Sequence, residues 1–434
     1  MSNFYYQDGT LMVEGLSARD VAQAHGTPAY VYSAQALREG LGTIQKAFAA
    51  IDPLVCFSVK SCPNLSVLKL LVDHGAGLDV VSGGELRRAL QAGAPPEKIV
   101  FAGVGKSREE LTLAIQQGVL MFNVESTAEL ERINEIAGGL GRKVQLALRV
   151  NPDVADETTH AKTSTGGRET KFGIPLHHAE KIIADGGFEH VDICGLHVHL
   201  GSPLSEASPY LLAIEALEQM EQRLAAAGRE IRYINVGGGY PVSYASPGQS
   251  FRPVLEIGQA IAERLQGFRA RGKKFVVEPG RSVVANAGLL LCQVEYMKQG
   301  WDHKIAIVNA GMNTLIRPTL YGAFHLMWPA QHDGFTGDWE AVARLPAQGL
   351  EKVDVVGPIC ETGDYLALGR SLPAMKSGDL LAVFSCGAYG MSMASNYNSH
   401  GRPAEVLVDG KEMRLIRRRE VYEDLVAFEV DLLK

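Results

Sequence analysis

The sequence predicts an α/β protein: a closed (β/α)8 barrel of the TIM type followed by a β-rich, sandwich- or barrel-like domain. Three observations carry that prediction. Short apolar runs alternate with helix-spaced segments from residue 55 to 280, and such alternation implies parallel strands. The runs, at 55–60, 77–82, 99–103, 121–125, 144–150, 193–201, 233–239 and 275–280, number eight, the count that closes a barrel. Beyond residue 285 long helical patterns give way to runs separated by Gly, Pro and Asp turns.

Taken in order, the first element is a short helix over 17–25, N-capped by Ser17 and stopped by Gly26. The β-branched and aromatic run 28–33 reads as a strand that pairs with the β-rich domain. Between the barrel runs lie helical segments at 65–74, 84–91, 109–117, 127–137, 178–184, 210–227 and 254–269, several ending at a glycine (Gly75, Gly93, Gly118, Gly228). The alternative, an open doubly wound sheet, would need a nucleotide crevice, and no G-x-G-x-x-G follows the first run. The polar connection 151–173 is long for a compact domain and leaves the end of a barrel strand where active sites sit, so a lid is expected there. The β-rich runs are 289–296, 304–309, 353–356, 380–385 and 405–408. The resulting division is an N-terminal segment 1–33, a barrel 34–285 and a β-rich domain 286–434.

Composition narrows the function class. The chain is 46% apolar, which excludes disorder for its bulk, and Lys plus Arg at 42 against Asp plus Glu at 49 gives a net charge of −7. An acidic balance argues against nucleic acid as a partner. No run approaches the length of a membrane helix, and the N-terminus lacks the basic flank and apolar core of a signal peptide. The six cysteines form no CxxC pair and read as reduced thiols of a cytoplasmic protein.

The strand ends carry the candidate chemistry. Lys60 closes an apolar run; loss of solvation there would lower its pKa, as a Schiff-base lysine requires, although a surface lysine snorkelling at a strand end would look the same. The triple glycine Gly237-Gly238-Gly239 allows close backbone approach to an anion, and with Gly280-Arg281 it falls where barrels hold phosphate; a tight turn is the plainer reading. His197 and His199 share a strand face. They could pair on a metal, though no third ligand follows at suitable spacing, so none is expected. Otherwise an imidazole stacks on a planar cofactor or is a hydrogen-bonded core histidine, while His177-His178 reads as solvated. Glu278 closes an apolar run and needs a positive partner, either Arg281 or a protonated pyridine nitrogen of an electron-sink cofactor.

Ordered motifs extend over nearly the whole chain. In the barrel they are Phe57-Ser58-Val59-Lys60, Asp79 with Ser82-Gly83-Gly84-Glu85-Leu86, Arg149-Val150-Asn151-Pro152, Lys171-Phe172-Gly173, Gly195-Leu196-His197-Val198-His199-Leu200-Gly201-Ser202, the triple glycine and Glu278-Pro279-Gly280-Arg281. Beyond it come Asn309-Ala310-Gly311-Met312-Asn313, Ile316-Arg317-Pro318, Leu320-Tyr321, Gly357-Pro358-Ile359-Cys360-Glu361, Gly363-Asp364, Gly387-Ala388-Tyr389-Gly390-Met391 and Ser395-Asn396-Tyr397-Asn398-Ser399. Together they resemble the fold-type III pyridoxal-phosphate-dependent decarboxylases.

That resemblance implies roles. Lys60 would hold pyridoxal 5'-phosphate covalently, His199 would stack on its ring with Asp79 orienting the imidazole, and Glu278 would pair with the ring nitrogen. Ser202, Gly237, Gly238, Gly239, Pro279, Gly280, Arg281 and Tyr389 would contact the cofactor and its phosphate. Arg281, Arg317, Tyr321 and Tyr389 would bind substrate, Cys360 would return a proton to the α-carbon, and Glu361 would accept a distal ammonium. The Cys360–Glu361 loop would complete the site of a second subunit in a homodimer. The implied reaction is decarboxylation of meso-2,6-diaminopimelate to L-lysine and carbon dioxide. The alternatives are a relative acting on ornithine, D-lysine or carboxynorspermidine, or a non-catalytic homologue. The chain departs from the usual pattern at Ser61-Cys62-Pro63-Asn64, Pro203, Asn309, Thr314 and Thr362, and Asn309 and Thr314 would alter the charge beside the substrate arginine. The other five cysteines read as small buried hydrophobes.

Overall fold

A computed structural model of the chain describes residues 3–154, 167 and 170–433. Eight parallel strands are present: Leu54–Ser58, Gly77–Val80, Ile99–Phe101, Met121–Val124, Val144–Asn151, Val191–His197, Tyr233–Asn235 and Lys274–Val277. Each pairs with the next, and Val276 of the eighth lies opposite Leu54 of the first, so the sheet closes into the expected barrel. Cys56, Val100, Met121, Ala147 and Val276, one from each of five strands, pack together as a buried cluster, as a filled barrel requires.

The helices between the strands begin where serine side chains accept the first unpaired N–H groups. Ser82 caps Gly83–Gln91, Ser107 forms a reciprocal capping box with Glu110, and Ser126 caps Thr127–Gly139. Gly75, Gly93, Gly118 and Gly228 all take positive φ past their helix ends. Seven of the eight barrel runs extend past the ends of their strands, all but 144–150, and three of these shifts bear on the site. Lys60 lies in a 3-10 turn, Val59–Ser61, after a strand that stops at Ser58. The sixth strand stops at His197, and the seventh gives way to Gly237, whose φ of +67° cannot continue a strand. The helix expected over 254–269 breaks at Leu265 into Val254–Arg264 and Gln266–Ala270.

The chain divides into two compact units, Gly40–Val242 with Ser250–Val283, and Met1–Glu39 with Ser243–Gln249 and Val284–Lys434. The second is built on a nine-stranded sheet. Within it Ala29–Ser33 runs antiparallel to Gly288–Gln299 and parallel to Ala404–Asp409, and all five of its residues are buried. A hairpin of Phe4–Gln7 and Thr10–Val13 turns at Asp8-Gly9, both at positive φ, the two-residue turn that suits strand twist. Among the described residues no helix is long and apolar enough to cross a membrane. Of the 151–173 connection, residues 155–166, 168 and 169 lie outside the described part, and with them most of the expected lid.

Candidate active site

The C-terminal strand ends of the barrel gather buried polar groups. Lys60, lifted by its 3-10 turn, places Nζ 3.2 Å from Asp79 Oδ2. The same oxygen accepts from Ser58 Oγ at 2.8 Å. Burial pushes the Asp79 carboxyl upward, against the pull of Lys60. Asp79 Oδ1 has no hydrogen-bond partner; the hydrogen bonds to Asp79 come from Ser58 and Lys60, where the resemblance implied a role in orienting His199.

Glu278 follows the eighth strand. Its Oε1 accepts from Asn123 Nδ2 at 2.8 Å and Asn235 Nδ2 at 2.6 Å, and Oε2 lies 3.4 Å from His197 Nε2. Burial alone would raise this acid, but His197, Lys60 and Asn235 hold it far below the ordinary carboxylate range. Its protein partners are therefore His197 and two asparagines, not Arg281, which donates Nε–H to Ser202 Oγ at 3.3 Å. His197 is thus a core histidine turned to Glu278. Sequence reasoning missed Asn123 and Asn235; the available signal was an amide within an otherwise apolar barrel strand.

His199 is held differently. The Gly238 N–H donates to its Nδ1 at 3.1 Å, which leaves the ring proton on Nε2. Burial, with Arg149 and Lys60, depresses the imidazole well below its usual value, so it stays neutral. Arg149 is itself buried on Glu125, at 3.0 Å, and stands over the Phe172 ring. Gly238 is required where it is: a Cβ there would lie 2.0 Å from the Glu278 carbonyl oxygen.

The residues fit pyridoxal phosphate by their chemistry. They offer an amine at Lys60, an ionised acid at Glu278, a neutral flat imidazole at His199, and a glycine-lined turn beside Ser202 and Arg281. Asp79 Oδ1 and His197 Nδ1 are buried polar atoms without partners, which an empty apolar core would not keep.

In the second unit, Arg317 opens the short helix Arg317–Tyr321. His325 donates Nδ1–H to the Phe384 carbonyl at 2.9 Å, so its Nε2 is free to accept from Arg317 Nη1 at 2.8 Å. The guanidinium also lies 5.2 Å from the Tyr244 ring centroid, fixed in direction as a carboxylate reader needs. Thr319 Oγ1, on the same helix, donates to the Gly363 carbonyl at 2.7 Å. Gly363 belongs to the Cys360–Glu361 loop. That loop winds around the buried Asp364, whose carboxylate accepts from Met312 N and Ile359 N, each at 2.6 Å. The Cys360 N–H donates to Asn398 Oδ1, and the Tyr397 hydroxyl donates to Glu361. Cys360 is exposed and the other five cysteines are buried. Tyr389 takes a φ of +56°. Asn309 accepts from Gln293 N and donates to Thr27 Oγ1, and the Thr314 carbonyl accepts from Tyr30. The Asn309 side chain thus ties the N-terminal segment to the sheet, whereas the Thr314 contact with Tyr30 is made by its backbone.

Comparison with known proteins agrees with this assembly. Residues 35–285 match the family model described as "Pyridoxal-dependent decarboxylase, pyridoxal binding domain". The chain is 46% identical over 432 residues to a diaminopimelate decarboxylase of Pseudomonas aeruginosa, covering 99% of each. It is 43% identical over 428 residues to one of Aquifex aeolicus, covering 98% of this chain and 97% of the relative. The solved diaminopimelate decarboxylase of M. jannaschii, in co-complex with L-lysine, superposes with a TM-score of 0.90 at 34% identity over 99% of each chain. A lysine/ornithine decarboxylase of Vibrio vulnificus shares the fold, at 20% identity and a TM-score of 0.76, over 90% of this chain and 96% of that one.

Proposed function

The chain belongs to the diaminopimelate decarboxylase family, and on that premise we propose that it removes the α-carboxylate of meso-2,6-diaminopimelate to release carbon dioxide and L-lysine. Bound pyridoxal phosphate supplies an electron sink for the pair left on the α-carbon. We assign Lys60 to its covalent attachment, with Asp79 3.2 Å away as the counter-charge that steadies the amine. Glu278, buried on His197 and two asparagines, would stabilise a proton on a ring nitrogen of that group. His199, fixed through Gly238, would offer a flat surface to its ring. Gly237, Gly238, Gly239, Pro279, Gly280, Ser202, Arg281 and Tyr389 are assigned to the cofactor and its phosphate.

Arg281, Arg317, Tyr321 and Tyr389 are assigned to the substrate. Arg317, aligned by His325, reads the distal carboxylate, and Glu361 accepts the distal ammonium. Cys360 returns the proton to the α-carbon. In this reading Cys360 and Glu361 act in the site of a second copy, so the working form is a homodimer. Their exposure supports that, as do the apolar side chains bared near the C-terminus, Tyr422, Phe428 and Leu433. The functional division remains an N-terminal segment 1–33, a barrel 34–285 and a β-rich domain 286–434. A cytoplasmic setting suits a chain whose six cysteines form no disulfide among the described residues.

The observation that carries the reading is Glu278, buried at the barrel centre with its carboxylate on His197 and two asparagines. The test is carbon dioxide release from meso-diaminopimelate, ornithine, D-lysine and carboxynorspermidine. The expected preference for the first is roughly a hundredfold or more in kcat/KM, because a buried arginine left without its carboxylate penalises the others. Preference for a substrate without the distal carboxylate overturns the assignment.

A further inference from the structure

The β-rich unit holds a cavity of about 460 Å³ that no group assigned above uses. Its lining is largely apolar, with Leu326, Val342, Leu345 and Leu350 among the contributors, and it includes two cations, Lys352 and Arg370, but no carboxylate. Arg370 lies on the strand Tyr365–Leu372 with its guanidinium 3.8 Å from the centroid of the Phe324 ring, which also lines the cavity. Its Nη1 is buried and has no hydrogen-bond acceptor. Trp328, another lining residue, likewise buries its indole Nε1 without an acceptor.

Two buried donors without acceptors in one cavity are costly to a folded chain. Burial also lowers the Arg370 guanidinium to about 10. A guanidinium stacked on an aromatic face keeps its N–H edge available for a planar anion. We propose that this cavity is a binding site for a small monocarboxylate with an apolar or aromatic body, whose carboxylate accepts from Arg370 while the body fills the aliphatic lining. Ala245 and Pro247 of the 243–249 loop also line the cavity, and the same loop carries Tyr244, the ring beneath Arg317. An occupant therefore abuts the support of the arginine assigned to the substrate.

Calorimetric titration of the full-length, pyridoxal-phosphate-loaded protein with phenylacetate, and with phenylacetamide as its neutral match, tests the proposal. Phenylacetate is expected to saturate one site per chain and to bind about tenfold or more tightly than the amide, because charge-assisted hydrogen bonds are about twice as strong as neutral ones. Arg370→Met is expected to remove that advantage and leave amide binding unchanged. No phenylacetate binding up to about 10 mM, equal affinity of acid and amide, or undiminished acid binding by Arg370→Met overturns the proposal. The acid–amide comparison uses the unaltered chain, so it decides the matter even where the variant does not fold.

Discussion

At the barrel strand ends Glu278, His197, Asn123 and Asn235 are buried and held by one another, whereas in the β-rich unit Cys360 and Glu361 stand exposed on an irregular loop. The first group is fixed by backbone position: each side chain leaves a regular strand or the residue just after one. The second is wound around one buried carboxylate, Asp364, with Asn398, Tyr397 and Thr319 holding the loop from outside. Preorganised charge thus belongs to the barrel, and in the proposed reading the surroundings of the exposed loop would be completed by a second copy. The contrast predicts losses of different kinds on the two sides.

The largest expected effect is at the barrel. Lys60→Ala should reduce carbon dioxide release to background, and any steady turnover by that variant would break the contrast. Next comes the exposed loop. Cys360→Ala should lower kcat roughly 10²- to 10⁴-fold with little change in KM, since a proton donor acts in the chemical step; a raised KM at unchanged kcat would remove it from that role.

A smaller effect is expected from the support of the loop. Asp364→Ala leaves the Met312 and Ile359 N–H groups without acceptors, at about 1–3 kcal/mol each. Denaturant unfolding should show that loss, while the absorbance of the pyridoxal-phosphate-loaded barrel stays unchanged. The smallest is at Glu85, whose carboxyl burial pushes from 4.5 up to about 7. A folded-state pKa above the unfolded one means the folded chain binds the extra proton. Glu85 therefore contributes stability below pH 4.5 that is lost as pH rises to about 7, and nothing further changes above that. Glu85→Gln should remove that part of the slope of unfolding free energy against pH; an unchanged slope would contradict the burial.

The barrel was legible because its signal is periodic: eight runs, intervening helical spacing and glycines after helices. Lys60, Glu278 and the triple glycine stood out because each breaks an apolar run at a strand end. Asn123 and Asn235 did not, since a single amide in a short strand looks like an interruption until its distant partner is known. The contacts of Asp79 were not legible for the same reason: which groups it meets depends on how Ser58 and Lys60 turn out of the first strand. The Asp8-Gly9 hairpin carries a readable turn signal, Asp-Gly between two short strands. Arg370 and its cavity had no sequence signature, because strands distant in the chain create them.

The central claim is that Lys60 is the point of covalent attachment. Borohydride reduction of the pyridoxal-phosphate-loaded protein, followed by peptide mapping, tests it directly. The account predicts one stable label on the peptide that contains Lys60. An unlabelled digest, or a label on any other peptide, would contradict it.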